Sequence, residues 1–344
     1  MVCLFCLVVG IATAAIGALF WYSLPRKIKF VLQGKHVFIT GGSKGIGKEI
    51  AAEVIAKGAA SVSIAARSKG ALEKAANELQ DLCEDGQVVR YYVLDVTSGY
   101  ETVKSVIDQA AEDAGTIDVL INNAGMVVQG GFTEVDVDSF EKQVHMNYVS
   151  AAHASRAVID GMKRKGSGHI AFVSSAAGQC AIWGYSAYSP SKFAVRGFAE
   201  ALHMELLPFN IGVSVLYPPN TETEGYEEEI RTMPEEVRLI GGSAGLFSAK
   251  AVAKQLVQSI ENGTFITTVG FEGWMLGALT AGAAPEPDFL NAALQTLFGG
   301  LFRGIMLVYI GSFNRIVQQC HAKKQGNDEK TSLTQSAEAE SKKA

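Results

Sequence analysis

Tyr188 and Lys192 stand four residues apart, the spacing that puts two side chains on one face of a helix. Ser175 lies thirteen residues before the tyrosine, behind the strand-like run His169-Ile-Ala-Phe-Val-Ser, so a phenol, an ammonium and a hydroxyl can converge on one carbonyl. Reducing a ketone by hydride transfer creates an alkoxide, and a proton must arrive as that charge develops. A free tyrosine, with a pKa near ~10, gives up its proton reluctantly at neutral pH. A lysine cation one turn away stabilises the phenolate, and a shift of about 3 units corresponds to roughly 4 kcal/mol. Tyr188 reads as the acid, Lys192 as its tuner and Ser175 as a donor to the substrate oxygen. Taken alone, Tyr-x-x-x-Lys is a chance helical pair, and its force comes from its surroundings.

The elements that must position these groups read as alternating strands and helices. Lys35-His-Val-Phe-Ile-Thr is a short apolar strand running into Gly41-Gly-Ser43-Lys44-Gly45-Ile46-Gly47, and an amphipathic stretch from Lys48 to Lys57 follows. Strand, glycine-rich turn and helix make a dinucleotide fingerprint, in which backbone amides approach a pyrophosphate at a helix N-terminus. The strand Ser61-Val-Ser-Ile-Ala-Ala ends at Arg67, where an acid would hold a ribose 2'-hydroxyl and an arginine accommodates a 2'-phosphate. With Lys44 in the same corner, NADP(H) is favoured over NAD(H). Val93-Leu-Asp95-Val96 closes another strand, and Asp118 to Asn122 is a buried strand leaving through Asn123-Ala124-Gly125. Val103 to Ala114 has the periodicity of a crossover helix.

Phe140 to Ser155 reads as a long helix carrying Asn147, where an asparagine would ordinarily be exposed and mildly unfavourable. Pro190 is tolerated only in a first helical turn, which places Tyr188 near a helix start. Ile211 to Tyr217 is a further strand, followed by Pro218-Pro219-Asn220-Thr221-Glu222-Thr223. The run Glu222 to Arg231 is acidic through Glu222, Glu224, Glu227, Glu228 and Glu229. It reads as a solvated lid face.

From about Gly34 to Thr264 the sequence resembles the short-chain dehydrogenase/reductases. More narrowly it is similar to the membrane-bound 3-ketosphinganine reductases, through Tyr217-Pro-Pro-Asn-Thr-Glu-Thr-Glu-Gly, Leu301-Phe-Arg-Gly, Tyr309-Ile-Gly-Ser-Phe and Ile316-Val. The resemblance implies a Rossmann-type doubly wound parallel sheet and the family's version of the glycine loop, Gly41-x-x-x-Gly45-x-Gly47. It places Asp95 and Val96 at the adenine, and Asn123, Ala124 and Gly125 in the family's Asn-Asn-Ala-Gly element. It assigns Asn147 to a catalytic tetrad with Ser175, Tyr188 and Lys192, holding a water in the proton path, with Ser174 a neighbouring candidate. Pro218, Thr221 and Thr223 match the loop that covers the nicotinamide, although Pro219 replaces its usual glycine. The implied reaction is NADPH-dependent reduction of 3-ketosphinganine, a long-chain amino-ketone, at the endoplasmic reticulum. Such a substrate would also let one of the carboxylates between Glu222 and Arg231 pair with its ammonium. Pairing of two copies through the helices carrying Asn147 and Tyr188 is also implied. The rivals are a membrane-tethered retinal or hydroxysteroid reductase and a catalytically idle cofactor-binding scaffold.

A chain of 344 residues suits one large α/β domain with appendages. Net charge is -5 with scattered acids, which speaks against nucleic-acid binding. Five cysteines form no disulfide or zinc framework, and reduced thiols are expected; the six histidines show no ligand spacing, so no metal is expected. Val2 to Tyr22 carries no charge and is long enough, at ~1.5 Å per residue, to cross a bilayer core. Arg26, Lys27 and Lys29 follow it, which orients the remainder toward the cytosol. The expected organisation is a transmembrane anchor at 1–24, the reductase domain at 25–264, an apolar membrane-associated or capping segment at 265–320 and a disordered tail at 321–344. Within the apolar segment, Gly273 to Ala284 and Leu297 to Phe313 are interrupted by Pro285-Glu-Pro-Asp288 and Arg303. A hairpin or interfacial segment therefore fits better than two crossings.

Overall fold

The computed structural model describes residues 2–242 and 245–341. Its strands are β1 (His36–Thr40), β2 (Ser61–Ala66), β3 (Val88–Val93), β4 (Val119–Asn122), β5 (Gly168–Val173), β6 (Ile211–Tyr217), β7 (Thr221–Glu222), β8 (Phe247–Ser248) and β9 (Ile266–Thr268). Seven of them form one parallel sheet in the order β3-β2-β1-β4-β5-β6-β9, while β7 and β8 pair separately. Parallel strands covered on both faces read as continuous apolar runs, and β1, β4, β5 and β6 are buried along their whole lengths. The chain adds strands in one direction from β1 to β3 and in the other from β4 onward. Beside β1 and β4 lies the switch point, where α/β sheets bind ligands at the carboxyl ends of their strands.

Preceding the sheet is α1 (Val2–Ser23); the flanking helices are α2 (Gly45–Ala56), α3 (Lys69–Gln80), α4 (Tyr100–Ala114), α5 (Val137–Val144), α6 (Ser150–Lys165), α7 (Tyr188–Leu206), α8 (Glu224–Thr232), α9 (Glu235–Gly241) and α10 (Ala249–Asn262). Successive strand residues face opposite sides. Val37, Ile39, Val119 and Ile121 pack with Ile50, Leu72 and Leu256 of α2, α3 and α10. Phe38, Leu120 and Phe172 pack with Ile107, Val158 and Leu202 of α4, α6 and α7. The helix expected over Phe140 to Ser155 is split: a π turn, His145–Val149, joins α5 to α6. A π turn admits one extra residue and re-aims the side chains beside it, which is why such turns collect at functional sites.

After β9 come α11 (Gly270–Leu279) and α12 (Phe289–Ser341). The loop holding Pro285 and Pro287 turns the chain from α11 into α12, and Trp274 packs on Phe302 at 5.6 Å between ring centroids. α12 continues past Arg303, and residues 289–326 are long and apolar enough to cross a membrane by length and composition. Both of its ends nevertheless touch the reductase domain side of the molecule. Lys27 and Asp288 pair at 2.8 Å, with Phe20 and Trp21 of α1 against Phe289. At the far end Lys323 pairs with Glu235 at 2.9 Å and Lys324 with Glu236 at 2.7 Å. Phe302 and Met306 are buried between, so α12 lies along the domain as a cap. The stretch expected as a disordered tail, 321–344, continues this helix as far as Ser341. Its Ala, Glu, Lys and Gln content favours helix once a preceding turn exists, and 342–344 lie outside the described residues.

Candidate active site

The site is assembled where β5 ends and α7 begins. Ser174 continues the sheet by donating its N–H to the Leu216 carbonyl at 2.8 Å. Ser175 is extended and caps the short turn Ala176–Gly178, its hydroxyl accepting from the Ala177 N–H at 3.1 Å. α7 starts at Tyr188, with Pro190 as its third residue, as the first-turn rule for proline requires. One turn on, Lys192 is 4 % exposed and its Nζ donates to the Val173 carbonyl at 3.0 Å. That bond ties the start of α7 to the end of β5.

The two serines differ in what their hydroxyls do. Ser174 is 2 % exposed and its Oγ donates to the Lys192 carbonyl at 3.1 Å. Ser175 faces the cavity and hydrogen-bonds the Tyr188 phenol, which pulls the phenol pKa down. Ser175→Ala is therefore expected to lower kcat by about 10²-fold, the scale for removing one donor to a developing oxyanion. Ser174→Ala should act mainly on stability, by about 1 kcal/mol for a lost hydrogen bond; steady-state kinetics beside thermal melts of both variants checks the division.

Burial is the main force on the phenol and raises its pKa, the nearby Glu229 charge raises it further, and Ser175 opposes them. Lys192, expected to lower the phenol, is not among the groups that shift it here; its Nζ stands 5.8 Å from the ring centroid and donates one hydrogen bond, to the Val173 carbonyl. Desolvation pulls Lys192 itself down to about 8, with Glu229 opposing. Tyr188 thus keeps its proton at neutral pH, the state an acid needs before it donates.

Asn147 is 3 % exposed, not the exposed helix residue that propensity suggests, because the π turn points it inward. Its Oδ1 accepts from the Met126 N–H at 2.8 Å, and its Nδ2 donates to the Met126 carbonyl at 2.9 Å and to Ser191 Oγ at 2.8 Å. Both amide donors are spent, so Asn147 pins the loop after β4 to α7 and lies behind the cavity wall.

The glycine loop leaves β1 at the switch point. Gly41 and Gly45 have φ of +68° and +55°, a region that favours glycine. A Cβ on Gly47 would stand 2.3 Å from the Gly41 carbonyl oxygen. Asn123 holds the loop against β4, donating from Nδ2 to the Thr40 and Gly41 carbonyls at 3.1 and 3.0 Å. Lys44, at the N-cap of α2, makes no side-chain cap bond, so the first N–H groups of α2 are left for an anion. This cradle fits a nicotinamide dinucleotide. Lys44 and Arg67 are both exposed, and the field of Arg67 helps Thr97 hold the Asp95 carboxyl below the usual range. Val96 is buried in the core.

A cavity of about 340 Å³ opens beside these groups. Ile46, Asn123, Gly125, Pro218, Thr221 and Thr223 line it together with both serines, Tyr188 and Lys192. Gly41, Ser43, Lys44, Gly45, Gly47, Arg67, Asp95, Val96, Ala124 and Asn147 lie outside its wall. The two threonines, expected as donors to the cofactor, bond locally: Thr221 Oγ1 donates to the Pro219 carbonyl at 2.8 Å, and Thr223 Oγ1 caps α8 by accepting from the Tyr226 N–H at 3.1 Å. Sequence reasoning gave no role to Tyr185, Tyr226, Glu272 or Met275, nor to Met306, Tyr309 and Phe313, all of which line the cavity. The last three recur at helical spacing along α12, a periodicity that marks one face.

The short chain dehydrogenase family model matches residues 35–234. The chain is 46 % identical over 297 residues to a 3-dehydrosphinganine reductase of Danio rerio, covering 86 % of this chain and 89 % of the relative. It is 45 % identical over 294 residues to a 3-ketodihydrosphingosine reductase of Mus musculus, covering 85 % and 88 %. A 3-dehydrosphinganine reductase of Arabidopsis thaliana, TSC10B, is 34 % identical over 298 residues, covering 86 % and 88 %. With its parallel sheet, glycine cradle and clustered serine, tyrosine and lysine, the chain belongs to the short chain dehydrogenase family and is a nicotinamide-dependent oxidoreductase.

Proposed function

We propose that this protein reduces 3-ketosphinganine to sphinganine with NADPH as the hydride source. The observation that carries this reading is the lining of the cavity: Tyr188, Ser175 and Lys192 share its wall with the apolar Met275, Leu276, Met306, Tyr309 and Phe313 of α11 and α12. A ketone with a long hydrocarbon chain matches both. The names of the relatives agree with it.

The backbone of Gly41, Ser43, Gly45, Ile46 and Gly47 would hold the cofactor, with Lys44 and Arg67 toward the 2'-phosphate, Asp95 and Val96 toward the adenine, and Asn123, Ala124 and Gly125 beside it. Pro218, Thr221 and Thr223 form the cover of the nicotinamide end. When bound, the nicotinamide supplies a hydride to the C3 carbonyl carbon. Ser175 orients the carbonyl oxygen, Tyr188 donates its proton to it, and Lys192 stabilises the phenolate left behind. Asn147 keeps α7 and the loop after β4 in register, and proton replacement from solvent completes the balance, one ketone, one NADPH and one proton giving one alcohol and one NADP.

Residues 25–264 are the catalytic domain and 265–320 its cap. α1, charge-free from Val2 to Tyr22 and followed by Arg26, Lys27 and Lys29, anchors the chain in the endoplasmic reticulum membrane with the domain in the cytosol. The exposed apolar residues Leu297, Leu301 and Val308 of α12 rest against the same membrane, where the substrate resides. Exposed Phe193 and Met204 on α7 support pairing of two copies.

The test is NADPH oxidation by detergent-solubilised protein with 3-ketosphinganine, run beside retinal and a 3-ketosteroid. Turnover of the sphingoid ketone alone supports the reading, and turnover confined to the other carbonyls overturns the substrate. Arg67→Ala is expected to raise the NADPH Kd about 10-fold or more, since a charge-assisted bond is worth roughly 1.5–3 kcal/mol. NADH binding should change little; cofactor titrations with both dinucleotides check it.

A further inference from the structure

We propose that Glu229 is the anionic partner of the substrate's ammonium group and selects 2-amino ketones over ketones that lack the amine. This rests on the sphingoid reading of the site. In 3-ketosphinganine the nitrogen is bonded to the carbon next to the carbonyl. Once the carbonyl oxygen lies against Tyr188 and Ser175, a counter-charge for the amine must come from a group bordering those residues.

Glu229 meets that requirement and the other acids of its run do not. On α8 it stands three residues after Tyr226, so the two share a helix face, and both line the cavity. The Glu229 charge is felt at Tyr188, Lys192, Tyr185 and Tyr226. Glu222, Glu224, Glu227 and Glu228 are exposed and lie outside the cavity wall. Glu272 of α11 is the other carboxylate in the wall, but it is exposed and its charge is not among those that shift Tyr188 or Lys192.

The Glu229 carboxylate is half-buried and, among the described residues, has no hydrogen-bond or ion-pair partner. Burial without a partner disfavours the charged form, and it pushes this carboxyl up to about 7 against the opposing field of Lys192. Lys192 acts on it only through its field: among the described residues no ion pair or hydrogen bond joins the two. An arriving substrate ammonium would supply the missing charge and ionise the carboxyl.

The experiment compares 3-ketosphinganine with a 3-ketone of equal length lacking the 2-amino group, using wild type, Glu229→Gln, Glu229→Asp and Glu272→Gln. Removing one member of a desolvated charge pair is expected to cut kcat/KM for the amino-ketone about 10- to 100-fold, chiefly through KM. The ratio of amino-ketone to amine-free ketone specificity should fall by a similar factor in Glu229→Gln, recover in part in Glu229→Asp and hold in Glu272→Gln. Equal losses on both ketones, or a ratio that moves only in Glu272→Gln, would overturn the assignment. If wild type reduces neither ketone, the function itself falls and the ammonium site with it; an active enzyme whose ratio is unmoved removes the site alone.

A thermal readout guards against a merely misfolded variant. The folded-state pKa of Glu229 lies above the ordinary carboxylate value, so between that value and about 7 the native protein holds a proton the unfolded chain lacks. Stability from this group is lost as pH rises through the window. Facing it are Lys192, which stays cationic below about 8, and Tyr185, Tyr188 and Tyr226, which stay neutral. The Tm of Glu229→Gln relative to wild type should therefore rise from pH 5 to pH 8, and a relative fall would overturn the picture of an unpartnered carboxylate.

Discussion

Tyr188→Phe is expected to lower kcat about 10²- to 10⁴-fold, the range that a positioned proton donor contributes, with little change in the KM for ketone or cofactor. The substitution removes one oxygen and keeps the ring, so the edge-on packing of Tyr188 against Tyr185, at 5.3 Å between centroids, survives. What disappears is the phenol hydroxyl beside Ser175. Because burial raises the phenol pKa, tyrosine enters the reaction protonated, and phenylalanine has nothing to deliver. Lys192 does not stand in for it, since its ammonium is bonded to the Val173 carbonyl at 3.0 Å. Stopped-flow or steady-state loss of NADPH absorbance measures the effect. A Tyr188→Phe enzyme retaining more than a tenth of wild-type kcat would mean that another group, or water, protonates the alkoxide.

Gly47→Ala is expected to destabilise the fold and to weaken cofactor binding at least about tenfold, which is 1.4 kcal/mol. Two effects compete. Gly47 is the third residue of α2, and alanine in a helix interior is worth up to about 1 kcal/mol over glycine. Against that, the added Cβ would stand 2.3 Å from the Gly41 carbonyl oxygen and 2.4 Å from Asn123 Nδ2. One neighbour is backbone in a left-handed turn. The other is an amide held by two carbonyls, so neither yields cheaply, and overpacking of this kind costs about 1–3 kcal/mol. The clash wins and the cradle opens. Thermal melts together with NADPH titration by protein fluorescence check both consequences; a higher Tm with unchanged Kd would show that the loop relaxes freely.

The reading of Ser175 over Ser174 shows how far sequence reaches. Spacing to the tyrosine pointed at Ser175 but left its neighbour open. Adjacent residues in extended backbone face opposite ways, and only coordinates reveal that Ser174 turns to the Lys192 carbonyl while Ser175 turns to the phenol. Asn147 was placed in the site by resemblance, and its inward aim depends on a π turn that no propensity scale marks. The threonines of the loop after β6 were legible as cavity residues, but not as groups that spend their hydroxyls on Pro219 and on the cap of α8.

The sequence by itself determined the parallel α/β sheet, the glycine cradle and the Tyr188–Lys192 pair, because each rests on local spacing: strand runs of four to seven residues, a turn that only glycine tolerates, and one helical turn between two side chains. Tertiary structure alone decided which acid of the lid run faces the chemistry and which part of α12 walls the cavity. Glu229 and Tyr188 are forty-one residues apart, and Tyr309 is more than a hundred beyond the catalytic helix. Such pairs meet only after α8 and α12 have packed on the domain, since contact across that distance follows from how faces are buried and leaves no periodic trace in the chain.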